Sequence, residues 1–160
     1  MNAPRAPGAQ LLHPVMLGAL LLLVVNDHVL KRLCPSPLTG KLSDVAVVVV
    51  LPVFLHGVVE LVHSQWLHRP LSAKAANRWL GVCLALSLLV FALPEVWPPA
   101  EAAYRYGLGA AQWPFKAAWR WALSEALPPL RPVRATADWT DLLTMPTAWL
   151  AFHVAKRSPG

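Results

Sequence analysis

Charge is what this sequence has little of. Asp, Glu, Lys and Arg make up 14% of its 160 residues, against roughly a quarter in soluble globular domains. With 56% hydrophobic residues and a mean hydropathy of +0.47, that shortage argues against an ordinary soluble fold. Cysteine is scarce as well: Cys34 and Cys83 have no CxxC partner and no histidine at ligand spacing, so they build neither a disulfide framework nor a thiolate metal site. HExxH and GxSxG are absent, and Thr39-Gly40-Lys41-Leu42-Ser43 lacks the upstream glycine of a P-loop and places one residue between Lys and Ser. There is no internal repeat and no low-complexity tract. Long uninterrupted apolar runs are missing too. Leu11 to Val25, Val45 to Val59, Trp79 to Leu93 and Leu142 to Val154 each hold about 13 to 15 residues, short of the roughly 20 that a helix needs to cross about 30 Å of hydrocarbon.

A spanning helix can therefore be completed only from the flanking residues, and those are polar. Tryptophan placement supports this extension: Trp66 and Trp79 bracket one short connection, and Trp97 and Trp139 a longer one, as aromatic belts at two membrane surfaces require. The pattern predicts an all-α integral membrane protein, one domain, with four transmembrane helices over 11–33, 43–65, 78–97 and 139–155. The first is not a cleaved signal peptide, because one Arg5 precedes it and Asn26, Asp27 and His28 stand where a small-residue cleavage site belongs. Threading puts the loop from Cys34 to Leu42 on one face, A, and both termini with the loop from Trp66 to Asn77 on the other, B. Face B carries Arg5, Arg69, Lys74, Arg78, Lys156 and Arg157 close to short spans, which places both termini in the cytoplasm of a bacterial inner membrane. The pI of 9.9 fits contact with anionic membrane lipids and no nucleic acid. Cys34 and Cys83 fall near opposite faces, too far apart to be bridged.

Between Pro98 and Pro132 the pattern becomes amphipathic. Phe115, Ala118, Trp119, Ala122, Leu123, Ala126 and Leu127 recur at three and four, with Lys116, Arg120 and Ser124 on another face. This predicts an interfacial helix over 114–127 starting at Pro114, with a core-packing helix of an extramembrane cap as the alternative. A shorter helix, Ala100 to Tyr106, would precede it, with Glu101 and Arg105 paired at i,i+4.

The polar residues at the span ends converge on face A: Asn26, Asp27, His28, Lys31, Lys41, Asp44, Asp138 and Asp141. Some have a purely helical explanation. Ser43 with Asp44 reads as an N-cap and first-turn acid, Asp138 with Asp141 as a cap and an acid three later, and Lys31 as a base complementing a helix C-terminus. Asp27 opposes the dipole of its helix and has Lys31 as its i,i+4 partner; Asn26 and His28 are left unexplained. As a site, Asp27, His28, Lys31, Lys41, Asp44, Asp138 and Asp141 are the catalytic or binding candidates. Asp27, His28, Asp44 and Asp141 offer donors for a divalent metal, the lysines could hold a phosphate, and His28 could serve as a general base. A second polar set lies nearer face B: His56, Glu60 and His63 on one stripe, with His13 and His153. His56, His63 and His153 present a haem-ligand alternative, and a proton or ion path is another.

The strings Asn26-Asp-His-Val-Leu-Lys31, Thr39-Gly-Lys-Leu-Ser-Asp44 and Asp138-Trp-Thr-Asp-Leu142 resemble those of small uncharacterised bacterial multi-pass membrane proteins. That resemblance implies a class and no activity. VanZ-type membrane proteins are similar in size and helix count, but their aspartate, lysine, histidine order is not reproduced at Asn26 to Lys31. The expected function is engagement of a polar or phosphorylated lipid headgroup, catalytic or not. The alternatives are a non-catalytic subunit or assembly factor that contacts a membrane protein partner or a second copy, and a haem-binding or ion-conducting unit.

Overall fold

The structure, a computed structural model, describes residues 6–156; Arg5 and Arg157, two of the bases expected on face B, lie outside the described residues. Among the described residues all regular structure is helical. Three helices are long and apolar enough to cross a membrane: α1 (Pro14–Leu33), α2 (Pro37–Leu67) and α3 (Ala73–Val96). They are followed by α4 (Pro98–Ala122), a 3-10 stretch Trp139–Thr147 and the short α5 (Ala148–Ala155).

Capping explains where these helices begin. His13 accepts a hydrogen bond from the Val15 amide ahead of Pro14, so α1 starts at Pro14, and Ala9–Leu12 forms a separate 3-10 turn. Ser36 and Thr39 form a reciprocal capping box with Pro37 at the first helical position. This cap outcompetes Ser43, so the expected start of the second span moves from residue 43 to 37. Lys41, Ser43 and Asp44 become interior helical residues, and the connection to α1 shrinks to Cys34-Pro35-Ser36. Within α1, Asn26–Leu30 is wound as a π-helix, a widened turn that occurs mostly singly and often at functional positions.

The segment expected as a fourth span has a different local structure. Thr144 Oγ1 donates to the Asp141 carbonyl at 2.7 Å and Thr147 Oγ1 to the Thr144 carbonyl at 2.6 Å. Together with Pro146, which has no amide hydrogen, these bonds favour the tighter 3-10 winding over Trp139–Thr147. Only the eight residues of α5 are α-helical.

The chain divides into two compact units, one comprising residues up to Leu89 together with those from Asp141 onward, the other Val90–Thr140. In the first, α2 packs against α1 and α5. Its core gathers Met16, Val53, Ala151 and Val154, with Leu11, Val50 and Leu84 packed around them. Leu17, Leu20, Leu21 and Val24 of α1, Phe54, Leu61 and Val62 of α2 and Val82 and Leu86 of α3 point outward and are exposed, the surface a bilayer covers.

The second unit is built on α4. The expected start at Pro114 is corrected: Trp97-Pro98-Pro99 with Glu101 in the first turn begins the helix, so the short helix at 100–106 and the amphipathic one are continuous. α4 ends at Ala122 rather than at Leu127, just before Ser124 takes a left-handed φ of 57°. The following irregular segment runs back along the helix. Trp113 Nε1 donates to the Pro128 carbonyl at 2.8 Å, Arg105 Nε donates to the Val133 carbonyl, and the Val133 amide returns a bond to the Arg105 carbonyl. Glycine is required where they cross, because a Cβ on Gly109 would collide with the Arg131 carbonyl oxygen.

Candidate functional site

The widened turn of α1 turns Asn26 inward, where it is fully buried. Its Nδ2 donates to Ser43 Oγ at 2.7 Å and to the Thr39 carbonyl. Ser43 Oγ passes its own hydrogen to Asp27 Oδ1 at 2.6 Å, and Lys31 Nζ meets the same oxygen at 2.7 Å. The chain Asn26, Ser43, Asp27, Lys31 thus fastens the end of α1 to the first turns of α2. The Asp27 and Lys31 side chains are 42% and 41% exposed, so this pair stands at the rim.

A second ion pair joins α2 to the 3-10 stretch, between Lys41 Nζ and Asp141 Oδ1. These side chains are more enclosed, 28% and 18% exposed. Asp44, one turn after Lys41, is half-buried, and Asp141, Lys41 and Lys31 are all close enough to act on its charge. Five of the seven candidates, Asp27, Lys31, Lys41, Asp44 and Asp141, therefore form one charge network in the first unit. His28 is exposed beside Asp27. Asp138 belongs to the second unit. There its carboxylate accepts from the Thr140 amide and hydroxyl, and its own amide donates to Glu95 Oε2. That is a local cap at the start of the 3-10 stretch, in keeping with the cap pattern of the sequence.

The histidine set is arranged quite differently. His56 is fully buried and both ring nitrogens are engaged. Nε2 faces the Ala76 carbonyl of α3 at 2.9 Å and, since a carbonyl only accepts, carries the hydrogen; Nδ1 meets Gln10 Nε2 at 3.2 Å. Gln10 Nε2 also donates to Glu60 Oε2 at 3.0 Å, which accepts from the Gly8 amide at 2.9 Å as well. His63 Nδ1 is bonded to the Arg69 carbonyl, and His153 Nδ1 to the Trp149 carbonyl with its ring against the indole. Haem ligation through either nitrogen of His56 would have to break the hydrogen bond that nitrogen makes. His13 caps α1. Among the described residues no group of three or more His, Cys, Asp and Glu could hold a metal ion, so Asp27, His28, Asp44 and Asp141 do not form a ligand set as they stand. The cysteines are unbridged, Cys34 exposed and Cys83 buried.

Sequence reasoning missed Ser43 as a bridge and Gln10 as the hub of the buried network. Ser43 carried a signal, lying next to Asp44, but one that reads equally as a cap. Gln10 carried none, because its partners are 46 and 50 residues away. In comparisons with protein-family models, with curated proteins and with solved structures, the chain matches none of them.

Proposed function

We propose that this is a multi-pass membrane protein whose charge network, where α1, α2 and the 3-10 stretch meet, engages the polar headgroup of a membrane lipid. The observation that carries this reading is the graded exposure of the network, from the rim pair Asp27 and Lys31 to the more enclosed Lys41 and Asp141. Charged groups beside membrane-spanning helices are costly unless they meet partners or a polar ligand, and a purely structural network has no need to open outward.

The fourth pass fits this arrangement on length. Nine 3-10 residues at about 2 Å each and eight α-helical residues at about 1.5 Å each give the Trp139–Ala155 segment a contour of about 30 Å, the thickness of the hydrocarbon layer. Four passes would return the chain to the face from which it entered. α4 follows α3 after the single residue Trp97, which starts it at the membrane surface. Glu101, Arg105, Lys116 and Arg120 recur on the side that carries Gly109, while Ala103, Gly107, Ala110, Ala118 and Trp121 share the opposite, exposed side. Such a helix lies in the interface with its apolar side toward the acyl chains.

The test is native mass spectrometry of the full chain released from mild detergent. A lipid adduct retained by the wild type and lost in Asp27→Asn and Lys41→Ala, with folded yield unchanged, is the expected result. A wild type that retains no lipid sinks the reading.

A further inference from the structure

The C-terminal end of α2 leads into a stretch of unbalanced positive charge. Between Glu60 and Glu95 the chain has no Asp or Glu, whereas Arg69, Lys74 and Arg78 all occur there. Glu60, the acid nearest to them in sequence, is buried and accepts from the Gly8 amide and the Gln10 side chain. The three bases are exposed, and none forms an ion pair with a carboxylate among the described residues. At the other end of α2 both Lys31 and Lys41 have a carboxylate of their own, which an arriving anion must displace. Here none of the described carboxylates has to be displaced.

Two of these bases are unfavourably placed on their own. Lys74 and Arg78 stand in the first two turns of α3, where the positive end of the helix dipole repels cations, and at i,i+4 they repel each other. An anion between them reverses both effects. The surface is also concave at this point: Ala73, Lys74, Asn77 and Arg78 line an open cleft of about 500 Å³, large enough for a phosphodiester headgroup. Trp66 and Trp79, 81% and 44% exposed, flank the connection between α2 and α3, and such indoles settle at the level of lipid headgroups. That level favours a lipid phosphate over a soluble anion. We propose that Lys74 and Arg78 bind the phosphate of an anionic phospholipid, with Arg69 adding to the local positive potential, at a site separate from the network at the start of α2.

The experiment presents the delipidated full-length protein with two phospholipids of identical acyl chains, one with an anionic glycerol headgroup and one with a zwitterionic choline headgroup. Retained lipid is read by native mass spectrometry, with inorganic phosphate as a soluble competitor. The expected result is preferential retention of the anionic lipid in the presence of phosphate. Combining Lys74→Gln with Arg78→Gln should weaken it roughly thirtyfold, at about fivefold for each base near a charged surface. Equal retention of the two lipids overturns the site. A preference that survives the double variant but is lost in Lys41→Ala places the anion at the other end of α2 and overturns it as well. Displacement of the lipid by inorganic phosphate overturns the choice of a lipid over a soluble anion. Hydrogen exchange of the wild type in nanodiscs of each lipid needs no variant to fold: the anionic lipid should slow the amides of residues 68–78, and equal exchange in both lipids overturns the proposal.

Discussion

Two polar networks sit on α2, and they differ in how far they are closed. Asp44 and Glu60 are 16 positions apart on the helix, about 24 Å along its axis. At the Glu60 end, Gln10, His56 and Glu60 are all buried, and the bonds among them, Gly8 and Ala76 stay inside the protein. At the Asp44 end, a single buried amide, Asn26, leads out through Ser43 to an ion pair that is two-fifths exposed. Both sets contain residues whose chemistry attracts functional interpretation. What separates them is exposure: the first set is enclosed within the protein and the second leads out to the surface. The inner set ties the 3-10 turn Ala9–Leu12 to α2 and α3, which is structural work; the outer set reaches the surface.

This contrast can be broken by mutation, and the largest effect belongs to the closed network. Replacing Glu60 by Ala removes the acceptor of the Gly8 amide and the Gln10 side chain, and the expected loss is about 3 kcal/mol of stability, read as a lowered midpoint of thermal unfolding in detergent. Lipid retention per folded molecule should not change. If Glu60→Ala abolished lipid binding without altering stability, the division between the two networks would be wrong.

Asn26→Ala is intermediate. It takes the donor away from the Thr39 carbonyl and from Ser43 Oγ, and should cost about 2 kcal/mol while also weakening lipid retention, because the residue belongs to the closed interior and to the open site at once. A change in one readout alone would assign it to one side. Asp27→Asn should change stability by less than about 1 kcal/mol, the range of exposed ion pairs, yet reduce lipid retention; calorimetry alongside native mass spectrometry checks both. The smallest effect is that of salt. Raising ionic strength to 1 M, where the screening length is about 3 Å, should weaken the Asp27 and Lys31 pair and lipid capture, and leave the unfolding of Glu60→Ala relative to wild type unaltered.

Much of the outer network was legible in the sequence because its signals are local. Asp27 and Lys31 are four apart on a helix, and their pairing follows from helical geometry alone. The collection of Lys41, Asp44 and Asp141 at one end of the spans followed from threading apolar segments through a layer of fixed thickness. The start of α2 was misplaced because two serines seven residues apart both resemble caps. The reciprocal bond between Ser36 and Thr39, with proline at the first helical position, decides for the earlier one. The continuity of α4 through Pro114 was missed for a related reason: proline lacks one amide hydrogen, a local penalty that the rest of the helix absorbs here. Asp138 was grouped with the site because threading the spans puts it on the same face, and its bonds are to Glu95 and Thr140 in the second unit.

The sequence by itself determined that the chain is helical and suits a membrane, because a low density of charge and recurring apolar runs are additive properties that need no partner; it counted four spans, where three helices are long and apolar enough to cross. It also placed ionisable groups at the ends of those helices. Only the tertiary structure decided which groups neutralise one another. The pairing of Lys41 with Asp141 spans 100 residues, and those of Gln10 with His56 and Glu60 span 46 and 50. Hydrogen bonds and ion pairs act over a few ångströms, so their partners are set by packing and not by order along the chain. Enclosure at one end of α2 and exposure at the other become visible only once the helices are side by side.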